Sequence, residues 1–185
     1  LNAVGALWLV QQGKISLDED VNQYLKSWKI PKHKFKKDSK VTLRRLLSHN
    51  AGISVHGFPG YSIDQKIPSL VEILDGKKPV VNTDPIRVIT QPGKESRYSG
   101  GGTTIIQLLI EDVTGEKYDI WMQKNVLVPL GMHASTFNQP LSTKDSQIAA
   151  HGHIKAGEKV KGNWHIYPEM AAAGLWTNPA DLAHF

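Results

Sequence analysis

Apolar residues recur along this chain in blocks whose spacing separates helices from extended segments. Residues 1–12 are apolar on nearly every side (Leu1, Val4, Ala6, Leu7, Trp8, Leu9, Val10), the pattern of a buried helix, and Gly13 supplies a left-handed stop. A short polar–apolar segment, Asp18 to Leu25, runs toward Trp28 before Pro31 breaks the chain. Thr42 reads as the N-cap of a helix from Leu43 to His49, with Leu43, Leu46 and Leu47 on one face and Asn50-Ala51-Gly52 as its end. Residues 53–68 hold Gly57, Pro59, Gly60 and Pro68 and predict an irregular loop. Ser69 caps a second short helix, Leu70 to Leu74, closed by Asp75-Gly76; Pro79, Pro85, Pro92 and Gly93 make residues 77–97 extended or turn.

The strongest helical signal is Thr103 to Thr114, led in by Gly100-Gly101-Gly102 and ended by Gly115. Tyr118 to Val128 predicts another helix, stopped by Pro129. Alternation in His151–Ile154 and again in Trp164–Tyr167 predicts a hairpin around Ala156-Gly157. After the small-residue stretch Ala171–Trp176, the run Thr177-Asn178-Pro179-Ala180-Asp181 carries a cap, an early proline and a first-turn acid, and so starts a last helix. The fold class is therefore α+β, mainly α, with a small β-hairpin and no internal repeat.

Composition narrows the chemistry. With 185 residues, 40% hydrophobic, the chain can bury an ordinary core without staples. Zero cysteines exclude disulfides, thiolate nucleophiles and every cysteine-based metal site. No apolar run approaches the ~20 residues of a membrane span. The formal charge of +5 is local: residues 26–45 hold nine of the 22 basic residues and one of the 17 acids, leaving thirteen cations and sixteen acids elsewhere. No nucleic-acid motif accompanies that run, so a solvated lysine-rich connection outweighs polyanion binding through 26–45, and no nucleic-acid partner is expected. Tyr98-Ser99-Gly100-Gly101-Gly102 lacks the Gly-Lys-Ser/Thr ending and the preceding buried strand of a phosphate cradle. His151, His153 and His165 could share a sheet face, but no carboxylate partner is evident and no metal or cofactor is expected.

Three segments together carry a resemblance: Val41-Thr42-Leu43-Arg44-Arg45-Leu46-Leu47-Ser48-His49-Asn50-Ala51-Gly52-Ile53, then Tyr98-Ser99-Gly100-Gly101-Gly102, then Pro129-Leu130-Gly131-Met132. Gly13-Lys14-Ile15-Ser16-Leu17-Asp18 and Ala173-Gly174-Leu175-Trp176-Thr177 with Asp181-Leu182-Ala183 add to it in the same order. The chain resembles the serine β-lactamase-like superfamily, on the branch of class C β-lactamases, DD-peptidases and related esterases. Family members place a Ser-x-x-Lys nucleophile motif just before the helix matching Leu1–Gln12, and Lys-Thr-Gly or His-x-Gly strands after the helix starting near Asp181. Neither motif occurs here. The first helix lacks a capping residue and the last one starts just before Phe185. The resemblance thus implies that residues 1–185 are a single partial domain, the helical portion of a β-lactamase/transpeptidase-like fold.

The same resemblance makes Tyr98 the catalytic candidate, the tyrosine of a Tyr-x-Asn motif that exchanges protons with the serine nucleophile, with Ser99 and Gly100 beside it as substrate-binding candidates. A serine hydroxyl must lose its proton as it attacks a carbonyl, so a base must lie within hydrogen-bond reach. A phenol serves when nearby cations favour its ionised form or when it passes a proton through. Gly100 stands where the motif often has Asn, which favours esters over β-lactams. The implied activity is acyl-enzyme hydrolysis of a small-molecule ester, amide or β-lactam, outside the cytoplasm. The competing reading is a non-catalytic truncated module or pseudo-enzyme. Isolated, such a portion would expose apolar faces that favour association with another chain.

Overall fold

The computed structural model describes residues 1–35, 39–155 and 157–185. Its elements in chain order are α1 (Asn2–Gln11), a 3₁₀ turn (Val21–Gln23), α2 (Leu43–Leu47), α3 (Leu70–Asp75), α4 (Gly100–Thr114) and α5 (Tyr118–Met122). There follow a π-helical turn (Gln123–Leu127), α6 (Thr143–Ser146), β1 (His153–Lys155), β2 (Glu158–Lys159), α7 (Met170–Ala173) and α8 (Pro179–His184). Mostly helical with one two-stranded antiparallel hairpin, it matches the sequence-derived class. None of its described helices is long and apolar enough to cross a membrane.

Helix α4 is the axis of the core. Its consecutive run Thr104–Ile110 is buried, including the polar Thr104 and Gln107, because α1, α2, α3, α5 and α7 all pack around it. Burial on that scale requires every polar side chain to find a partner. Thr104 donates its hydroxyl to the Gly100 carbonyl at 3.0 Å. Gln107 ties down the start of α7, donating to Pro168 O at 3.1 Å and accepting from Ala171 N–H at 3.0 Å. At the far end Asp112 accepts the amides of Lys26 and Ser27, at 2.6 and 3.0 Å, and the Ser27 hydroxyl. That carboxylate fastens the first connection to the central helix.

Helix α1 differs from an all-round buried helix. Gly5, Ala6 and Leu9 face the core, whereas Leu7 and Trp8 are 45% and 38% exposed. Its contact with α5 depends on Gly5, where a Cβ would stand 2.8 Å from Met122 Sδ and 2.9 Å from the Trp121 ring. Trp8 then packs edge-on to Trp121 with centroids 5.8 Å apart.

The caps expected at Thr42 and Ser69 form, and the cap expected in the run Thr177–Asp181 is Asn178: each side chain accepts the amide three residues on, and Ser69 completes a capping box with Glu72. The hairpin differs in its second strand. His153 pairs with Lys159 and Lys155 with Glu158, so the return strand is Glu158–Lys159 and every strand residue is exposed. Ala156, half of the expected turn, lies outside the described residues. Trp164–Tyr167 instead leaves the hairpin, and Ile166 makes an antiparallel bridge with Tyr61. His165 consequently hydrogen-bonds Pro59 O through Nδ1 at 2.8 Å, away from His151 and His153. Among the described residues no group of three or more His, Asp or Glu side chains is placed to hold a metal.

Candidate active site

Tyr98 lies at the junction of an extended segment and α4, and its side chain is 55% exposed. The backbone on either side of it is tied down. Arg97 N–H donates to the His49 carbonyl at 2.7 Å and Ser99 N–H donates to His49 Nδ1 at 3.3 Å. The Tyr98 ring packs against both His49 and His56, with centroid distances of 4.5 and 4.7 Å.

The first turn of α4 is closed by the segment after α2. Gly100 N–H donates to His56 O at 3.0 Å, Gly101 N–H to Val55 O at 3.1 Å, and Gly102 N–H to Ser99 Oγ at 2.9 Å. The Ser99 hydroxyl in turn donates to Ser54 O at 2.7 Å. A helix start normally leaves these amides free for a cap or an anion. Here two main-chain carbonyls and the Ser99 hydroxyl oxygen occupy them, which removes the physical basis for a phosphate cradle. The glycines serve the approach of that segment. A Cβ at Gly101 would stand 2.6 Å from Ser54 O, and one at Gly100 3.0 Å from His56 O and 3.2 Å from the Phe58 ring. An asparagine at position 100 would meet the same carbonyl.

Two non-glycine residues in this grip hold positive φ, His49 at 53° and Val55 at 62°. For a β-branched residue that is strained backbone, on the order of 1–3 kcal/mol, and it persists only where the surroundings over-determine it. The carbonyls of both residues accept hydrogen bonds from the chain around Tyr98. The segment itself is held from behind: Ile53 bridges Val88, and Ser54 Oγ accepts Arg87 N–H at 2.8 Å.

The three sequence candidates thus come together but differ in what they offer. Tyr98 presents its ring to solvent. Ser99, 2% exposed, uses its amide and hydroxyl inside the chain, and Gly100 uses both its amide and its carbonyl there. His49, half-buried, also lines a cavity of about 440 Å³ shared with Leu1, Thr103, Leu175 and Phe185. A larger cavity, about 530 Å³ between α5 and residues 133–148, contains none of the three candidates.

The lysine-rich segment is partly spent on structure. Among its described cations, Lys29 donates to Asn22 O and Leu25 O, Arg44 pairs with Asp18 at 2.7 Å, and Arg45 donates to Lys40 O. Lys36, Lys37 and Asp38 lie outside the described residues.

Glu169 escaped the sequence reading. It is fully buried ahead of α7, and among the described residues neither carboxylate oxygen meets a donor. Burial pushes its carboxyl up to about 7, with its own amide opposing. Burial likewise raises the phenols of Tyr61 and Tyr167, and the Glu169 charge adds to both. The visible signal was an acid set between Pro168 and the apolar run Met170–Ala173.

Comparison with known proteins agrees with this architecture. The octameric penicillin-binding protein homologue from Pyrococcus abyssi superposes with a TM-score of 0.69 at 25% identity, covering 99% of this chain and 41% of that one. EstCE1, a hydrolase with promiscuous acyltransferase activity, superposes at 0.70 with 22% identity over 99% of this chain and 54% of its own. Beta-lactamase-like protein 4 of Dictyostelium discoideum is 30% identical over 186 residues, 94% of this chain and 31% of that protein. The chain spans about a third of the length of such curated relatives and about half of the matching solved chains. The Beta-lactamase family model matches residues 1–185, every residue of the sequence, and the chain belongs to that family.

Proposed function

We propose that this chain is the helical portion of a serine hydrolase that works through an acyl-enzyme on esters, amides or β-lactams, with Tyr98 in the proton relay. The nucleophile and the second cationic motif belong, on this reading, to chain outside these residues, since no Ser-x-x-Lys or Lys-Thr-Gly occurs here. One observation carries the reading: Tyr98 is the solvent-facing side chain at the start of α4, in a backbone fixed from residues 49 and 54–56.

The chemistry follows from a phenol's ability to accept one proton while giving up another. As the serine oxygen forms its bond to the substrate carbonyl carbon, its proton passes to the Tyr98 oxygen. When the tetrahedral adduct collapses, the leaving group departs with a proton returned from the same oxygen. Water then attacks the acyl-enzyme by the reverse route and releases the acid. Ser99 and Gly100 contribute by holding the start of α4 rather than by touching substrate, because their polar groups are already partnered. Without an asparagine side chain at position 100, an amide flanking the scissile bond lacks that partner, so esters are the better substrates. The apolar residues lining the 440 Å³ cavity, Leu182 and Phe185 among them, are the surface we assign to association with further chain.

The test uses the full-length protein containing these residues, assayed with p-nitrophenyl esters and with a chromogenic cephalosporin. Tyr98→Phe should lower ester kcat by about 10²–10⁴-fold, the usual size of a proton-transfer contribution. Ester turnover should exceed cephalosporin turnover. Unchanged kcat in Tyr98→Phe, or efficient cephalosporin hydrolysis without esterase activity, refutes the respective half of the reading.

A further inference from the structure

We infer that His49 is the positioning residue for Tyr98, an assignment that rests on the proton-relay reading of that tyrosine. Three contacts converge. The His49 carbonyl accepts the Arg97 amide at 2.7 Å, its Nδ1 accepts the Ser99 amide at 3.3 Å, and its ring packs on the Tyr98 ring with centroids 4.5 Å apart. Tyr98 is therefore the one residue between two amides that are anchored on the same histidine. No other side chain among the described residues makes a hydrogen bond to a main-chain amide on either side of it.

The backbone of His49 is shaped for this double grip. At φ 53° it turns back on the end of α2, aiming carbonyl and imidazole at the same stretch of chain. That left-handed geometry is disfavoured for an L-residue, and histidine and asparagine tolerate it better than most. The side chain must also supply an acceptor. An imidazole accepting at Nδ1 carries its proton on Nε2, so the neutral tautomer is the one that holds Ser99. His56 also packs on the ring, at 4.7 Å, but has no such link: it engages Gly100 only through its main-chain carbonyl.

A double-mutant cycle on the full-length protein separates positioning from general support. His49→Ala should lower ester kcat by about 10–100-fold, the effect of a reacting group displaced by about an ångström, with KM changed less than about twofold. In a Tyr98→Phe background the same substitution should produce no further loss. His49→Asn, which keeps the left-handed preference and an acceptor, should restore most of the activity. Losses that multiply, or a change confined to KM, overturn the assignment while leaving Tyr98 in its role. Full activity in Tyr98→Phe overturns the relay reading and the assignment with it. Amide exchange gives a readout independent of turnover: Ser99 N–H should be protected in wild type and His49→Asn and fast in His49→Ala. Equal exchange in all three also overturns the assignment.

Discussion

The buried carboxyl of Glu169 makes stability depend on pH in a direction opposite to most acidic groups. Its midpoint is raised from 4.5 to about 7 by loss of solvent, so the folded state binds this proton more tightly than the unfolded chain does. By linkage, the penalty is absent below about pH 4.5, where both states are protonated. It grows as pH rises and is complete above about 7. The separation of the two midpoints corresponds to about 3 kcal/mol, with a slope of at most about 1.4 kcal/mol per pH unit inside the window. Glu169→Gln has nearly the shape of the protonated acid and cannot ionise. Urea unfolding followed by tryptophan fluorescence, at intervals from pH 5 to 8, should show the variant gaining on wild type as pH rises, by up to about 3 kcal/mol at pH 8. Any fixed cost of the amide shifts both ends equally, so the slope is the measurement. A difference that stays constant across that range, or that changes with the opposite sign, refutes the claim that Glu169 is charged at the expense of folding.

Two further outcomes test the packing around α4. Gly101→Ala, which would stabilise an ordinary exposed helix, should here destabilise by about 1–3 kcal/mol in thermal or urea unfolding, because the new Cβ meets Ser54 O at 2.6 Å. Asp112→Ala should cost about 2–4 kcal/mol by the same measurement, since the amides of Lys26 and Ser27 and the Ser27 hydroxyl all lose their acceptor.

What the sequence disclosed and what it hid divide along the range of the interactions. Thr42, Ser69 and Asn178 cap their helices through groups three residues away, and such short-range chemistry reads directly from the chain. The apolar spacing of Ile105–Ile110 likewise identified the central helix. The helix begins at Gly100, three residues ahead of the expected Thr103: glycines argue locally against a helix, and only the approach of Ser54–His56 explains them. The second hairpin strand is hidden from local pattern for a similar reason: the alternation of Trp164–Tyr167 serves a pairing of Ile166 with Tyr61, far back in the chain. Tyr98 was legible only through resemblance to a family, since a tyrosine before a glycine run has no chemistry of its own. His49 and Glu169 depend entirely on what the fold brings against them, His49 on Ser99 and Glu169 on a dry interior.

The grip on Tyr98 also has an entropic side. By joining residues 49 and 54–56 to 97–101, it closes an excursion of about forty residues that contains α3. The cost of closing such a loop rises only with the logarithm of its length, so doubling it adds about 0.6 kcal/mol. Insertions at its exposed tip, residues 63–66, would disturb little beyond the solvent-exposed pair of Asp64 with Lys161, of a type worth about 0–1 kcal/mol. The tyrosine at the base of the loop would stay where it is. A chain arranged this way can change the length and chemistry of the surface beside Tyr98 by insertion and deletion while the backbone that fixes the phenol remains closed.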